Sequence, residues 1–554
     1  MVWEALSDGL AEALRAAGLY DPARFARLEL AIPRESAHGD WTTNLALQIA
    51  KELKRPPRAV AEALAAGFPL AGSPFEAVEV AGAGFLNFRY ARAFLDGLPA
   101  RIIAAGGRFG GSQVGDDHAC LVEYVSANPT GPLNVVSARA AAVGAALVRL
   151  LRATGHRCDG EFYVNDAGTQ VDLLGASVAA RFAQRIGEPR PLPEAGYQGG
   201  YVADLAAALP EAEARAALGG DGATWFRDRA LERMVAAQRA DLDAYGAEFA
   251  RWFRESELHG SGAVDQALAE LGARGMLYDA EGARWLSTTR FGDDKDRVVV
   301  RGTGLPTYLL PDIAYHRDKR ARGYRHAIDL WGPDHHAYVG TLMAGLAALG
   351  LEPDFLEVLI VQQVNLLAGG QPVGMSKRAG EFITLRDLMD EVGADCAKFF
   401  FLMRSTSAHL DFDLDLAKRQ NDENPAYYVQ YAHARIASIL RYAAERGLAP
   451  EPGAGAALEQ PEEIALVRRL AAFPEVVRGA AAAREPHRIP AFLMETAAEF
   501  HRFYHHCRVV GEDAARSRRR LAVAEAARVV LANGLALLGV SAPERMERAA
   551  EAVS

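Results

Sequence analysis

An acidic residue inside an apolar run is the first feature of this chain that could do chemistry. Glu123 lies within Cys120-Leu121-Val122-Glu123-Tyr124-Val125, where an ionised carboxylate is costly unless something pairs with it. At the carboxyl end of a strand it could meet a cationic ligand; a structural pair with one of the chain's arginines is the alternative. Asn128 follows at the start of a Pro/Gly turn that runs to Leu133. A second group is Pro306-Thr307-Tyr308-Leu309-Leu310-Pro311-Asp312. If the chain is helical after Pro311, Tyr308 stands at the entry and Asp312 in the first turn. A phenol and a carboxylate there could frame a guanidinium or ammonium group, unless Asp312 only complements the helix dipole.

Two further groups suggest nucleotide. Trp331-Gly332-Pro333-Asp334-His335-His336 follows an apolar run. Adjacent histidines point apart, and no cysteine or carboxylate stands at ligand spacing, so a strand-end loop contacting a nucleoside is expected rather than a metal site. Met375-Ser376-Lys377-Arg378-Ala379-Gly380 is a basic loop whose lysine can hold phosphate as a point charge, or is simply an exposed basic loop. Only seven of the 61 basic residues are lysine, so a lysine there invites a specific reason.

The elements that must position these groups follow from periodicity. Residues 41–66 read as two helices broken at Pro56-Pro57, and Gly84–Arg89 alternates like a half-buried strand. Gly106–Asp117 is polar and Gly-rich, as in a linker. Beyond it come short apolar runs at 120–125, 161–165, 326–331 and 357–364, with helical stretches between them, the first at about Ser137–Thr154. Strands alternating with helices predict a parallel, doubly wound sheet with ligands at the carboxyl ends of its strands. Residues 170–290 interrupt this pattern as a helix-rich insertion, and from about 422 the chain reads as a helical bundle with one loop, Leu448–Pro461.

A length of 554 residues implies three or four domains, and the net charge of −10 argues against a protein that coats nucleic acid non-specifically. A local basic patch, Arg508 with Arg516, Arg518, Arg519 and Arg520, could still touch nucleic acid or be a solvated helix face. Four scattered cysteines fit reduced thiols and a cytoplasmic location. No apolar run approaches the roughly 18 residues expected of a membrane span, and the first residues lack the pattern of a secretory signal.

In this order, several stretches resemble bacterial arginyl-tRNA synthetases, which are class I enzymes. They include VEYVSANPTGPL (122–133), FYVNDAGTQV (162–171), FGDDKDRVVVR (291–301), PTYLLPDIAYH (306–316), GMSKRAGEFITL (374–385), NPAYYVQYAHARIASIL (424–440) and NGLALLGVSAPERM (533–546). The resemblance implies an N-terminal α+β tRNA-contacting domain over 1–112. It implies a Rossmann-type catalytic domain over 118–400, with the insertion and a KMSKS-like loop at 374–380. An all-α anticodon-binding bundle would occupy 422–554. It also implies a monomeric arginine–tRNA ligase that uses ATP with Mg2+, needs tRNA(Arg) even for activation, and has no bound metal or membrane partner. Glu123, Asn128, Tyr308 and Asp312 match arginine-binding positions. Lys377 matches the second lysine of the KMSKS loop, with Met375 and Ser376 beside it, and Asp334 and His335 match the edge of the nucleotide site. The Asn165–Gln170 turn matches the same edge.

One departure is large. Where the family has the HIGH motif, this chain reads Asn134-Val135-Val136-Ser137, and Gly374 stands where the first KMSKS lysine would be. Asn134 and Ser137 can still donate hydrogen bonds to phosphate, and Ser137 can cap the helix, but neither carries positive charge. The expected function is an active synthetase with catalytic roles for Asn134, Ser137 and Lys377. The alternative is a paralogue that binds tRNA or arginine without aminoacylation.

Overall fold

The computed structural model describes residues 2–33, 35–373, 383–451 and 457–546. Its N-terminal part packs helices Val2–Ala16, Leu45–Leu53, Pro57–Gly67 and Arg92–Ala105 against a three-stranded antiparallel sheet. The strand Phe85–Tyr90 is central, between Trp41–Thr43 and Phe75–Ala81. The first residues of the 41–66 stretch are thus a strand and not helix: Trp41 is buried, and its indole donates to the Tyr90 hydroxyl at 2.6 Å.

Five parallel strands form the central sheet: β1 (Ala119–Glu123), β2 (Arg157–Val164), β3 (Arg251–Arg254), β4 (His326–Trp331) and β5 (Leu356–Ile360), in the order β5-β4-β1-β2-β3. The chain winds outward both ways from β1, so the crevice between β1 and β4 is the switch point where such sheets bind ligands. The run 357–364 divides, because β5 ends at Ile360 and a second strand, Val364–Ala368, leaves the sheet. That strand pairs in parallel with Leu410–Asp413 in a separate small sheet.

Two helices serve the crevice. The first, α1 (Val135–Ala153), follows β1, starts two residues before the expected Ser137, and lies against the sheet. Gly144 allows that approach, since a Cβ there would sit 2.2 Å from the Tyr124 ring. The second, α2 (Leu309–Ala321), starts before Pro311, which occupies its first turn, where a missing N–H costs nothing. Helices Thr169–Arg185 and Ala223–Tyr245 are the two longest in the interruption between β2 and β3. Yet β3 itself, inside the stretch expected to be helix-rich insertion, is an edge strand of the central sheet.

Helices Pro425–Ala444, Pro461–Ala471, Phe473–Ala482, Arg488–His506 and Ala514–Leu538 build the C-terminal bundle. The last corrects one expectation, being long and apolar enough to cross a membrane by length and composition. Most of its Leu, Val and Ala side chains are instead buried inside the bundle.

Candidate active site

Glu123 and Asp329 end up as paired neighbours on β1 and β4 at the crevice. Just past Glu123 the backbone turns sharply, with φ +70° at Val125 and +38° at Ser126. A β-branched residue in that region is strained by about 1–3 kcal/mol and persists only where its surroundings fix it. The turn points Ser126 back, so that its hydroxyl donates to Glu123 Oε1 (2.9 Å) and accepts from the Tyr163 N–H (3.1 Å).

Glu123 also has a structural cationic partner. It is a lysine rather than an arginine: Lys319, fully buried on α2, donates to Glu123 Oε2 at 2.6 Å and to Asp329 Oδ1 at 2.8 Å. Burial pushes the Glu123 carboxyl up, with Lys319 opposing. Burial acts the same way on Asp329, but there Lys319 and His316 outweigh it and hold the carboxyl below its usual value. His316 lies between two acceptors, the Asp312 carbonyl (2.7 Å) and Asp329 Oδ2 (2.8 Å), so a ring making both bonds carries a proton on each nitrogen. Glu123, Asp329, Lys319 and His316 then balance their own charge.

Asp312 and Glu255 have no lysine or arginine partner among the described residues; Glu255 has His259 at 3.8 Å. The Asp312 side chain, in the first turn of α2, accepts from the Tyr338 hydroxyl at 2.7 Å. Burial pushes its carboxyl up to about 6, Tyr338 and His316 oppose this, and Glu123 and Glu255 add to the rise. Glu255, at the end of β3, is likewise raised by burial, against His259 and a hydrogen bond from Tyr163. With its amide turned to suit its neighbours, Asn165 donates to Glu255 Oε2 at 3.0 Å. Carboxylates raised by burial and by neighbouring acids in a half-buried crevice suit a cation with several N–H donors. Tyr308, at the N-cap position of α2, is 79% exposed, and its carbonyl accepts from the Asp312 N–H at 3.2 Å.

The N-terminus of α1 opens onto the same crevice. The Asn134 Oδ1 caps it, accepting from the N–H groups of Val136 (3.1 Å) and Ser137 (3.0 Å) and from the Ser137 hydroxyl (3.3 Å). The cap is therefore Asn134, and Ser137, expected to be able to cap, is one of the residues capped. The preceding loop is braced from the interruption between β2 and β3. Gln238 Nε2 donates to the carbonyls of Asn128 (3.2 Å) and Gly131 (2.8 Å), and the Tyr201 hydroxyl donates to that of Thr130 (2.8 Å). The exposed Asn128 amide donates to Gln170 at 2.9 Å, joining the Asn165–Gln170 turn to this loop. Asp334 and His335 lie together on a short 3-10 turn, Pro333–Tyr338, with Nδ1 and Oδ1 3.4 Å apart, both exposed. Met375, Ser376 and Lys377 lie outside the described residues.

The C-terminal bundle carries a groove of about 1090 Å³ whose lining includes Tyr431, Arg435, Arg441, Tyr442, Tyr504 and Arg508. The Arg435 guanidinium lies over the rings of Tyr431 and Tyr504, 5.0 and 5.3 Å from their centroids. Of the basic patch read from the sequence, Arg508 lines this groove. Arg516 and Arg519 pair with Glu459, Arg518 with Glu451 and Arg520 with Glu463 in the first turn of helix Pro461–Ala471.

Residues 4–90 match the Arginyl tRNA synthetase N terminal domain, and 429–546 match the DALR anticodon binding domain. An arginine–tRNA ligase of Geobacillus thermodenitrificans is 44% identical over 549 residues, covering 98% of this chain and 99% of its own. The chain belongs to the arginyl-tRNA synthetase family. Another member, the arginine–tRNA ligase of Symbiobacterium thermophilum, is 45% identical over 557 residues, with 98% of each chain covered. The fold agrees with the family: a Thermus thermophilus arginyl-tRNA synthetase superposes with a TM-score of 0.79 over 99% of this chain and all of its own, at 24% identity.

Sequence reasoning missed Glu255, Tyr338 and Lys319. Glu255 stands in an unremarked charged stretch, and no local pattern marks Tyr338. Lys319 was visible only as one of seven lysines, four residues beyond Tyr315 on the face that α2 buries.

Proposed function

We infer that the chain is an arginine–tRNA ligase, which activates L-arginine with ATP and transfers it to the 3′ end of tRNA(Arg). The observation that carries this is the pair Asp312 and Glu255, carboxylates with no lysine or arginine partner among the described residues, in a crevice where Lys319 answers the neighbouring Glu123 and Asp329. Asp312 and Glu255 take the guanidinium, while Glu123, Asn128 and Tyr308 bound the rest of the amino acid. ATP enters with Mg2+ against the N-terminus of α1. Asn134, Ser137, Asp334, His335, Met375, Ser376 and Lys377 serve its phosphates and nucleoside. Asn134-Val135-Val136-Ser137 stands in for the family's HIGH motif, and its donors work as neutral ones. The domains divide as 1–112, 118–400 and 422–554, with β3 belonging to the catalytic sheet. The protein acts as a monomer in the cytoplasm, away from membranes.

The test is aminoacylation by the purified chain, given arginine, Mg-ATP and tRNA(Arg). Charging is expected; tRNA binding without charging would instead establish a non-catalytic paralogue.

Asn134 allows cap and donor to be separated. Asn134→Ala should cost about 1 kcal/mol of stability through the lost cap. It should also lower kcat for activation by about 10²-fold through the lost Nδ2 donor. Asn134→Asp keeps the capping oxygen but replaces that donor with negative charge, so its melting temperature should hold while tRNA-dependent ATP–pyrophosphate exchange falls. Full exchange activity in Asn134→Asp would remove Asn134 from the phosphate site.

The bundle groove is the tRNA surface we assign, since stacked tyrosines and arginine suit unstacked bases and phosphate. Arg435→Ala should raise the tRNA KM and reduce the salt slope of tRNA binding by about one, leaving the arginine KM alone. An unchanged tRNA KM would move the contact elsewhere.

A further inference from the structure

Arg139 lies on α1, two residues beyond Ser137, and its side chain is fully buried. Among the described residues no carboxylate pairs with it. Its guanidinium forks onto four backbone carbonyls from two distant loops. Nη1 donates to Gln362 (2.8 Å) and Gln363 (3.4 Å), and Nη2 to Ser405 (2.8 Å) and Ala408 (3.0 Å). Nε is buried without a hydrogen bond, and burial pulls the guanidinium down, to about 10. A buried cation with no counter-charge costs several kcal/mol, and an apolar side chain of similar volume would avoid that cost. What such a side chain could not do is span two loops with a rigid fork of donors.

The two loops are the joints of the small sheet. Gln362 and Gln363 connect β5 to the strand Val364–Ala368. Ser405–Ala408 lead into Leu410–Asp413, the parallel partner of that strand. On the far side of residues 374–382, Leu385 N–H donates to the Leu133 carbonyl at 2.8 Å, and Thr384 forms a backbone bridge with Asn134. The described flanks on both sides are thus tied to the start of α1, upstream by the hydrogen bonds of Arg139 and downstream through Leu133 and Asn134.

We propose that Arg139 is a positioning residue for arginine activation: it holds the small sheet, and with it the approach to the segment bearing Lys377, in register with the N-terminus of α1. This rests on the reading that Lys377 and Asn134 act on one ATP. Arg139 touches no substrate. Its contribution is to keep two groups from different parts of the chain at one spacing, which a loose joint would blur.

The test is tRNA- and arginine-dependent ATP–pyrophosphate exchange in four proteins: wild type, Arg139→Lys, Lys377→Ala and the double variant. Lysine keeps the charge but cannot fork to both loops. Arg139→Lys is expected to lower kcat about tenfold or more with the arginine KM within about twofold, and to add less than about twofold in the Lys377→Ala background. A purely structural arginine would slow both backgrounds by the same factor, and that result overturns the proposal, as does an unchanged kcat. If Lys377→Ala alone leaves exchange at the wild-type rate, the reading of Lys377 fails and the proposal with it. An additive penalty beside a slow Lys377→Ala refutes the proposal alone. Should Arg139→Lys not fold, Arg139→Gln, which keeps one amide donor without the buried charge, takes its place in the cycle.

Discussion

Asp312→Ala is expected to raise the arginine KM by about two to three orders of magnitude while changing kcat far less, because a partly buried charge pair is lost. The carboxylate already holds its position through Tyr338, so the variant removes a prearranged acceptor and not a flexible one. Glu255 remains as a second carboxylate near the same site, which sets the upper limit of the effect. The pH dependence has a definite sign. Burial holds the free Asp312 carboxyl at about 6; a guanidinium binds the ionised form, so binding must displace a proton once pH falls below that value. The arginine KM should therefore rise as pH drops through about 6, approaching tenfold per pH unit. Asp312→Asn should have a higher KM that no longer climbs over this range. Steady-state charging kinetics between pH 5 and 8 would check both; an Asp312→Ala KM within about threefold of wild type would refute the pocket assignment.

The second large effect is on the fold. Lys319→Met fills the same volume without the ammonium, leaving Glu123 and Asp329 facing each other in a buried space. Removing one partner of a buried ion pair costs about 3–5 kcal/mol, and here two carboxylates lose the same partner. The loss should depend on pH. In the variant both carboxyls sit above their unfolded values, so the protonated form carries the remaining stability, present at low pH and lost as pH rises through the raised values. The variant should thus melt closest to wild type in mild acid and fall away toward neutral pH, as circular dichroism melts at several pH values would show. A pH-independent deficit would mean that packing, and not charge, is what Lys319 supplies.

The sheet was legible where its strands are rich in apolar residues, as at 326–331, since a strand covered on both faces buries most of its side chains. β3 was not legible. Its sequence, Arg-Trp-Phe-Arg, belongs to an edge strand, with charged ends that reach solvent. Trp41–Thr43 was hidden for the same reason of length, three residues merging into a helical pattern that begins at Leu45. In the site, Glu123 and Asp312 could be singled out because a carboxylate in apolar sequence demands an explanation. What balances each of them could not, because Lys319 is 196 residues from Glu123 and Tyr338 is 26 from Asp312. The capping role was assigned to Ser137 rather than Asn134 because the helix boundary was placed two residues late, and caps move with boundaries.

The bracing of the loop before α1 by Gln238 and Tyr201 bears on how short a gene for this reaction can be. Trimming between β2 and β3, a natural place to shorten the chain, would remove the two side chains that hold the carbonyls of Asn128, Thr130 and Gly131. The freed loop would have to find new partners before the helix beyond it could start in the same place. Because the acceptors are main-chain carbonyls, the side chains at 128–131 can change freely while Gln238 and Tyr201 cannot be dropped from a shortened chain without loosening this loop.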